Sequence, residues 1–475
     1  MNNSKQPNII VLILDALRAD HVSCYGYHRN TTPNIDRISA QGTIFLETIA
    51  TAPWTVPSVA SIFTGCYPSE HGATQENPHL DDLVPTLAQI LSENGYETIG
   101  FSTNPWFNPG TNLRKGFNEF NLFSNEKSRK KHIKRKLLQQ LHLLKKGSRF
   151  FVEPGNSHDI VDEISTTVAS RTHRNSKPFF LYAHFMDPHL PYEPYKEYIR
   201  RMIGNDKGMI KKIMDCQLIR DGLVHVRYNL GLERIDKETI DLFKLAYDAA
   251  ILQLDDAIGA LIECLEKAGA LDSSLIIIAA DHGENIGDHR LMDHQLCLYD
   301  TLLKVPLVII GEGFPRKKRY EKQVQLHQLF DTILEGASIN RGDRVNGAGS
   351  LQRMIKDSTG LEYAFSEYAR PDQIKSGYLR ITPALDARFD TRLKSIRTPR
   401  FKYIQSENGD DELYNLESDP GEEKNILSVN EEILHEFKKV FVKWQSNLTV
   451  HSRSKHHSSI SNDAIANQLK GLGYM

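Results

Sequence analysis

Long hydrophobic runs are missing from this sequence. The first apolar stretch, Ile9–Leu14, is six residues long, too short for the core of a secretory signal or for a membrane span. A soluble chain in the cytoplasm is therefore the expectation. Cysteine is scarce: Cys24, Cys66, Cys216, Cys264 and Cys297 are odd in number and scattered, without the paired spacing of a thiolate metal site. This argues against a disulfide framework and favours reduced thiols. A surplus of either charge is lacking too. A formal net charge of −2 over 475 residues makes nucleic acid a poor default partner. No internal repeat is evident.

What is present is the composition of a globular protein with a sizeable core, 40% apolar and 25% charged. Ile9–Leu14, Thr98–Phe101, Phe179–His184, Leu275–Ala280 and Val305–Ile310 read as strands, because continuous rather than alternating hydrophobicity marks a parallel sheet covered on both faces. Amphipathic stretches such as Pro85–Asn94 and Ile240–Ala268 lie between them, the second with Leu242, Leu245, Ala249, Leu252 and Ile258 near helical spacing. The alternation predicts an α/β fold with a doubly wound, mostly parallel sheet in a catalytic domain of residues 1–385. Residues 386–448 predict a small antiparallel C-terminal subdomain with strands at Lys394–Arg397, Phe401–Ile404 and Glu412–Leu416 and a helix over Glu431–Leu448. Residues 449–475 are a polar tail. Within the first domain, residues 127–149 carry ten Lys or Arg and no acid, with Ile133, Leu137, Leu141 and Leu144 at helical spacing. This basic helical insertion is either a solvated face or a peripheral contact with an anionic membrane or polymer.

The residues able to do chemistry follow the apolar runs directly. Asp15 follows the first, Asp187 and His189 the third, and Asp281 and His282 the fourth. Ligands of an open α/β sheet bind beyond the carboxyl ends of its strands, so these clusters are expected on one rim. A carboxylate at a strand end is a ready ligand for a hard cation, although acids also cap helices there. In Asp281-His282-Gly283-Glu284, Gly283 would allow a tight turn beside a carboxylate and imidazole suited to one ion. Thr55 precedes Val56-Pro57-Ser58, so it sits at a helix N-terminus, as a simple N-cap or as a hydroxyl whose ionisation the helix favours.

The order of motifs resembles the sulfatase branch of the alkaline phosphatase superfamily over nearly the whole chain. The resemblance runs through Asp15-Ala16-Leu17-Arg18-Ala19-Asp20-His21, Thr32-Pro33-Asn34-Ile35-Asp36 and Thr55-Val56-Pro57-Ser58-Val59 with Thr64-Gly65. It continues through His184-Phe185-Met186-Asp187-Pro188-His189-Leu190-Pro191, Asp281-His282-Gly283-Glu284, Glu412-Leu413-Tyr414-Asn415-Leu416 and a terminal Leu472-Gly473-Tyr474. It implies a metal-dependent ester hydrolase or transferase. Asp15, Asp281 and His282 fall on the family's metal ligands. Thr55 falls on the nucleophile, which also touches the metal, His189 on a contact to the substrate ester, and His294 near a Lys or His that contacts the transferring or leaving group, where a histidine titrating near neutral pH could act as general acid.

Three positions besides Thr55 depart from the family pattern. Ala16 stands where many sulfatases have a second acid, Val59 replaces the signature arginine, and Ser102-Thr103-Asn104-Pro105-Trp106 replaces an element that supplies a lysine. Asn104 is left as a hydrogen-bond donor toward substrate. Thr55 departs most, because a sulfatase oxidises Cys or Ser there to formylglycine. Its β-carbon carries a methyl group, so oxidation would give a ketone and no formylglycine is expected. A threonine alkoxide can still attack phosphorus in line. The reading preferred on these grounds is phosphoester chemistry on a phosphodiester or phosphonate ester. Sulfate ester hydrolysis comes second, with phosphotransfer to a lipid or glycan as a variant and a non-catalytic binding protein third. One Ca²⁺, Mg²⁺ or Mn²⁺ is expected rather than two Zn²⁺ held with help from Asp187, His189 and His294. The substrate would be a small molecule, a glycan or a lipid headgroup.

Overall fold

The first strand of the chain, β1 (Asn8–Leu14), lies in the middle of the large sheet. The computed structural model describes residues 6–123, 156–172, 177–340, 349–372 and 388–449. The basic segment 127–149 and the tail from 450 onward, with its Leu-Gly-Tyr motif, lie outside them. β1 is wholly apolar after Asn8 and buried on both faces, which only a central strand with cover on each side allows. Its neighbours are β5 (Phe179–Phe185) and β6 (Ser274–Ala279), both parallel to it. Beyond β5 come β3 (Glu97–Ser102) and β4 (Glu119–Leu122), again parallel.

The other half of the sheet holds β9 (Lys304–Ile310), β2 (Thr43–Ile49) and β10 (Lys318–Gln325), giving the order β10-β2-β9-β6-β1-β5-β3-β4. The sequence expectation of a buried parallel strand at 305–310 is half right. β9 is buried, but it runs antiparallel to both β6 and β2. The chain leaves β6 at the carboxyl rim, stays there through a two-stranded ribbon of β7 (Asn285–Ile286) and β8 (Met292–Asp293), and enters β9 from that rim. A parallel strand would need a crossover back to the opposite rim.

Register sets the site. Leu14 pairs with Phe185, Ile13 with Ala279, and Ser102 with His184. Residues just past these pairs therefore emerge side by side. Among the described residues, no helix is long and apolar enough to cross a membrane.

The small sheet is antiparallel: β11 (Ala364–Tyr368), β12 (Leu393–Arg397), β13 (Phe401–Ser406) and β14 (Glu412–Asn415). Its first strand comes from before residue 386, so this layer draws on residues that sequence alone placed with the large domain. The Glu431–Asn447 helix covers it, with Phe437, Phe441 and Trp444 buried against Phe365, Ile396, Tyr403 and Leu413. Trp444 stacks flat on Phe365, with ring centroids 4.6 Å apart.

A buried ionic network fixes the small sheet to the large one. Arg397 on β12 bonds Asp300 at 2.9 Å and Glu47 of β2 at 2.9 Å. Lys402 on β13 is fully buried and reaches Asp300 and Glu422, each at 2.8 Å. Removing one member strands the others in a dry interior. Lys402→Met should lower unfolding free energy by about 3 kcal/mol, read as a shifted midpoint in urea denaturation; an unchanged midpoint would mean the pairing contributes nothing net.

Candidate active site

Asp15 is the first residue past β1, and its N–H bonds the Phe185 carbonyl at 2.9 Å, which ties the exit of β1 to the end of β5. Ala16 takes φ 56°, and its carbonyl accepts the Tyr247 hydroxyl at 2.6 Å. Asp281 and His282 follow β6. Gly283 is needed there for space rather than for a turn. A Cβ at this position would lie 2.0 Å from the Thr301 carbonyl oxygen, and the Gly283 N–H bonds Leu302 O at 2.8 Å.

Thr55 opens the Thr55–Thr64 helix, with extended Trp54 in the N-cap position. The hydroxyl is therefore not a cap. The helix stops at Gly65, whose φ of 68° suits a residue without a Cβ. Ser58 in its first turn donates to the Asp281 carbonyl at 2.7 Å, binding the helix to the end of β6.

These elements bring four ligand-type atoms together. His282 Nε2 lies 3.2 Å from Thr55 Oγ1, 3.4 Å from Asp15 Oδ1 and 3.5 Å from Asp281 Oδ2. Asp15, Thr55, Asp281 and His282 are all fully buried. Each ligand residue is held by one atom and presents another. Asp15 Oδ2 accepts from Asn104 Nδ2 at 2.7 Å and pairs with His184 Nε2 at 2.9 Å. Asp281 Oδ1 accepts the His282 N–H at 3.0 Å, and His282 Nδ1 donates to Gly283 O at 2.9 Å. Asp15 Oδ1 and Asp281 Oδ2 have no hydrogen-bond partner among the described residues.

The electrostatics carry the same message. Burial raises Asp281 to about 7, reinforced by the facing charge of Asp15. Burial pushes His282 down to about 3, helped by His294. Burial would raise Asp15 as well, but His184 outweighs it and holds Asp15 below the usual carboxylate range. The donor set is two carboxylate oxygens, a neutral imidazole with its other nitrogen on a carbonyl, and a hydroxyl. It fits a divalent cation, whose charge would reverse the unfavourable side of this balance.

His189 and His294 flank the cluster. The His294 ring stacks on His282, with centroids 4.3 Å apart, and lies 4.7 Å from that of His189. His189 Nδ1 bonds the Leu190 carbonyl. His294 Nδ1 sits 2.6 Å from Asp293 Oδ1 and 3.6 Å from Glu284 Oε1. Burial opposes its charge, but Asp293 and Glu284 prevail and hold it well above the ordinary histidine range. This favours the charged form of the imidazole.

Every site residue expected from sequence reaches this rim. Asn104 takes a different posture: its amide faces Asp15 and, at 3.4 Å, Thr55. The second-ion set does not assemble. Asp187 instead accepts the Ser157 hydroxyl, and His294 groups with Glu284 and Asp293, a second cluster with ligand atoms close enough together to hold an ion. Neither departed position places a cation here: Val59 is a buried helix residue, and Thr103 Oγ1 accepts the Met186 N–H at 3.0 Å. Sequence reasoning gave no role to His184, Glu284, Asp293 or His225. His184 and Glu284 lie inside the quoted motifs, and Asp293 directly precedes His294. His225, 3.4 Å from Asp293, has no sequence signal.

A doubly wound sheet that carries a buried hydroxyl beside two carboxylates and an imidazole at its carboxyl rim has the makings of an ester-cleaving site at a bound cation. Residues 7–339 match the family model described as Sulfatase, and the chain belongs to that family. It is 25% identical to a sulfatase of Formosa agariphila over 88% of this chain and 82% of that one. It is 24% identical to an arylsulfatase of Clostridium perfringens over 92% and 94%. The solved phosphonate monoester hydrolase of Silicibacter pomeroyi superposes with a TM-score of 0.71 at 18% identity, covering 96% of this chain and 98% of that one.

Protonated Asp281 competes with a cation for the same oxygen. Divalent-cation affinity should therefore weaken as pH falls through about 7. Calorimetric titration about one unit either side of that value checks it, and pH-independent affinity would contradict it.

Proposed function

We propose that this chain hydrolyses phosphoesters, a phosphodiester or a phosphonate ester, with Thr55 as nucleophile and one bound divalent cation. The observation that carries the reading is the placement of Thr55 Oγ1, 3.2 Å from His282 Nε2 beside the presented oxygens of Asp15 and Asp281. Asp15, Asp281, His282 and Thr55 would hold the cation, here Ca²⁺, Mg²⁺ or Mn²⁺. When bound, it supplies Lewis-acid charge stabilisation and lowers the hydroxyl's pKa.

The rest falls to side chains. The Thr55 hydroxyl gives its proton to solvent as its oxygen bonds phosphorus and the bond from phosphorus to the leaving oxygen breaks, while His294, charged through Asp293, gives a proton to that departing oxygen. Water then attacks phosphorus of the phosphothreonine, passing a proton to the now neutral His294, and the Thr55 oxygen departs and takes up a proton from solvent. His189, whose Nδ1 bonds the Leu190 carbonyl, lies beside His294 and orients the ester. Two observations support phosphorus as the centre: the methyl on the nucleophile's β-carbon, and the fold shared with a phosphonate monoester hydrolase. The relatives named sulfatase and arylsulfatase favour sulfuric ester hydrolysis as the second reading.

Thr55→Ala should lower turnover of a phosphodiester and a phosphonate monoester by at least about three powers of ten, whereas Thr55→Ser keeps a working hydroxyl. Sulfate ester turnover alone, lost in Thr55→Ala, would transfer the reading to a sulfatase. His294→Ala should cost roughly two to four powers of ten on esters with poor leaving groups and far less on a nitrophenyl ester. Equal losses on both would remove the general-acid role.

A further inference from the structure

The two oxygens of Asp15 are used differently, and His184 is part of the reason. Oδ2 accepts Asn104 Nδ2 at 2.7 Å and pairs with His184 Nε2 at 2.9 Å, while Oδ1 is presented toward His282 Nε2 at 3.4 Å. Both donors are fixed from behind. The Asn104 carbonyl accepts the Trp106 N–H at 2.9 Å, which sets the amide's direction. His184 stands on β5, fully buried, and its Nδ1 meets the fully buried Tyr182 hydroxyl at 3.0 Å. Tyr182 and His184 are two residues apart on one strand and so lie on the same face.

A carboxylate with both oxygens free can rock between one-oxygen and two-oxygen coordination. Here any rotation that turned Oδ2 toward the cation would break two hydrogen bonds and leave two buried donors unpaired. The clamp matters more in this chain because residue 16 is alanine and a single acid represents the end of β1. His184 Nε2 is also 4.0 Å from the presented Asp281 Oδ2, beyond hydrogen-bond reach, so its hydrogen bond goes to Asp15 Oδ2 at 2.9 Å.

We propose that His184 is a positioning residue for the metal: held by Tyr182, it bonds Asp15 Oδ2 and fixes Asp15 as a one-oxygen ligand that presents Oδ1, an ordering task the chain has no second acid to perform. The inference rests on the metal-dependent reading of the site.

The test uses the full chain stripped by chelator and titrated with Mn²⁺, followed by calorimetry and by electron spin-echo spectroscopy of the bound ion. His184→Leu removes the donor, and His184→Gln keeps an N–H near the position of Nε2. The Leu variant should bind Mn²⁺ about ten- to a hundredfold more weakly, and the Gln variant close to wild type. Both should retain the signal of a single coordinated imidazole, from His282. If the Leu variant does not fold by circular dichroism, His184→Asn, too short to reach Asp15, takes its place. Wild-type affinity in the donor-less variant would overturn the positioning role alone. A second imidazole signal in wild type, lost in the variant, would overturn it by making His184 a ligand. Failure of the wild type to bind Mn²⁺, Mg²⁺ or Ca²⁺ would instead sink the metal-site reading, and this inference with it.

Discussion

Two carboxylates facing one point in a dry interior demand a positive charge. Asp15 and Asp281 present ligand atoms within 4.8 Å of each other and are fully shielded from solvent, each with an oxygen that has no hydrogen-bond partner among the described residues. Burying an uncompensated ion is expensive, and a sequence under no functional constraint would replace one of the pair with an apolar residue. Much of the surrounding structure makes sense as support for this arrangement. β1 and β6 are adjacent so that their exits coincide. His184 and Asn104 hold one oxygen of Asp15, and Ser58 ties the nucleophile's helix to the Asp281 carbonyl. Gly283 lets the chain pass 2.8 Å from Leu302 without displacing either acid.

The charge around that cradle is unevenly distributed. A site with the signature arginine and the extra lysine would meet a substrate with fixed cations. Here positions 59 and 103 are Val and Thr, both engaged in local packing or backbone bonds. Among the described residues of this rim, Asp293 and Glu284 favour the charged form of His294 against the effect of burial. Under the proposed reading, Glu284 and Asp293 keep one imidazole charged and aimed, in the way an acid behind a histidine fixes its tautomer and orientation in other hydrolases.

The large sheet was legible because its strands are buried on both faces, which writes them as unbroken apolar runs, and because the acids and histidines sit where those runs stop. β9 was legible as a strand but not in direction. Direction depends on whether residues 281–303 cross the sheet or stay at its rim, and local hydrophobicity carries no record of that. β11 was missed because Ala364–Tyr368 is short and lies far in sequence from the strand it pairs with. Thr55, Asp15, Asp281, His282, His189 and His294 could be placed by motif. The clamp on Asp15 could not, because it is a relation among β3, β5 and β1 that exists only once Ser102 lies beside His184. Asn104 shows the same limit. Its residue type gave a donor, and only the fold decided that the donor faces Asp15 and Thr55.

The two chemistries carried by the relatives differ less in their first step than in their second. Sulfate monoesters, phosphodiesters and phosphonate monoesters are all singly charged, and each can be attacked in line by an oxygen nucleophile beside a cation. They part when the covalent intermediate must be released. A hydrated aldehyde expels sulfate by breaking its own C–O bond, without a second attack at sulfur. Thr55 has one hydroxyl and a methyl group on its β-carbon, so release must come from water attacking the transferred group itself. That step is the reverse of the first in kind, and it can use the same cradle and the same His294, now taking a proton where it had given one. If Thr55 is the nucleophile, as proposed, the aldehyde route is closed to it and turnover needs an element that accepts two successive in-line displacements. Phosphorus does so in enzymes that employ plain serine or threonine, which is why the proposed reading prefers a phosphoester.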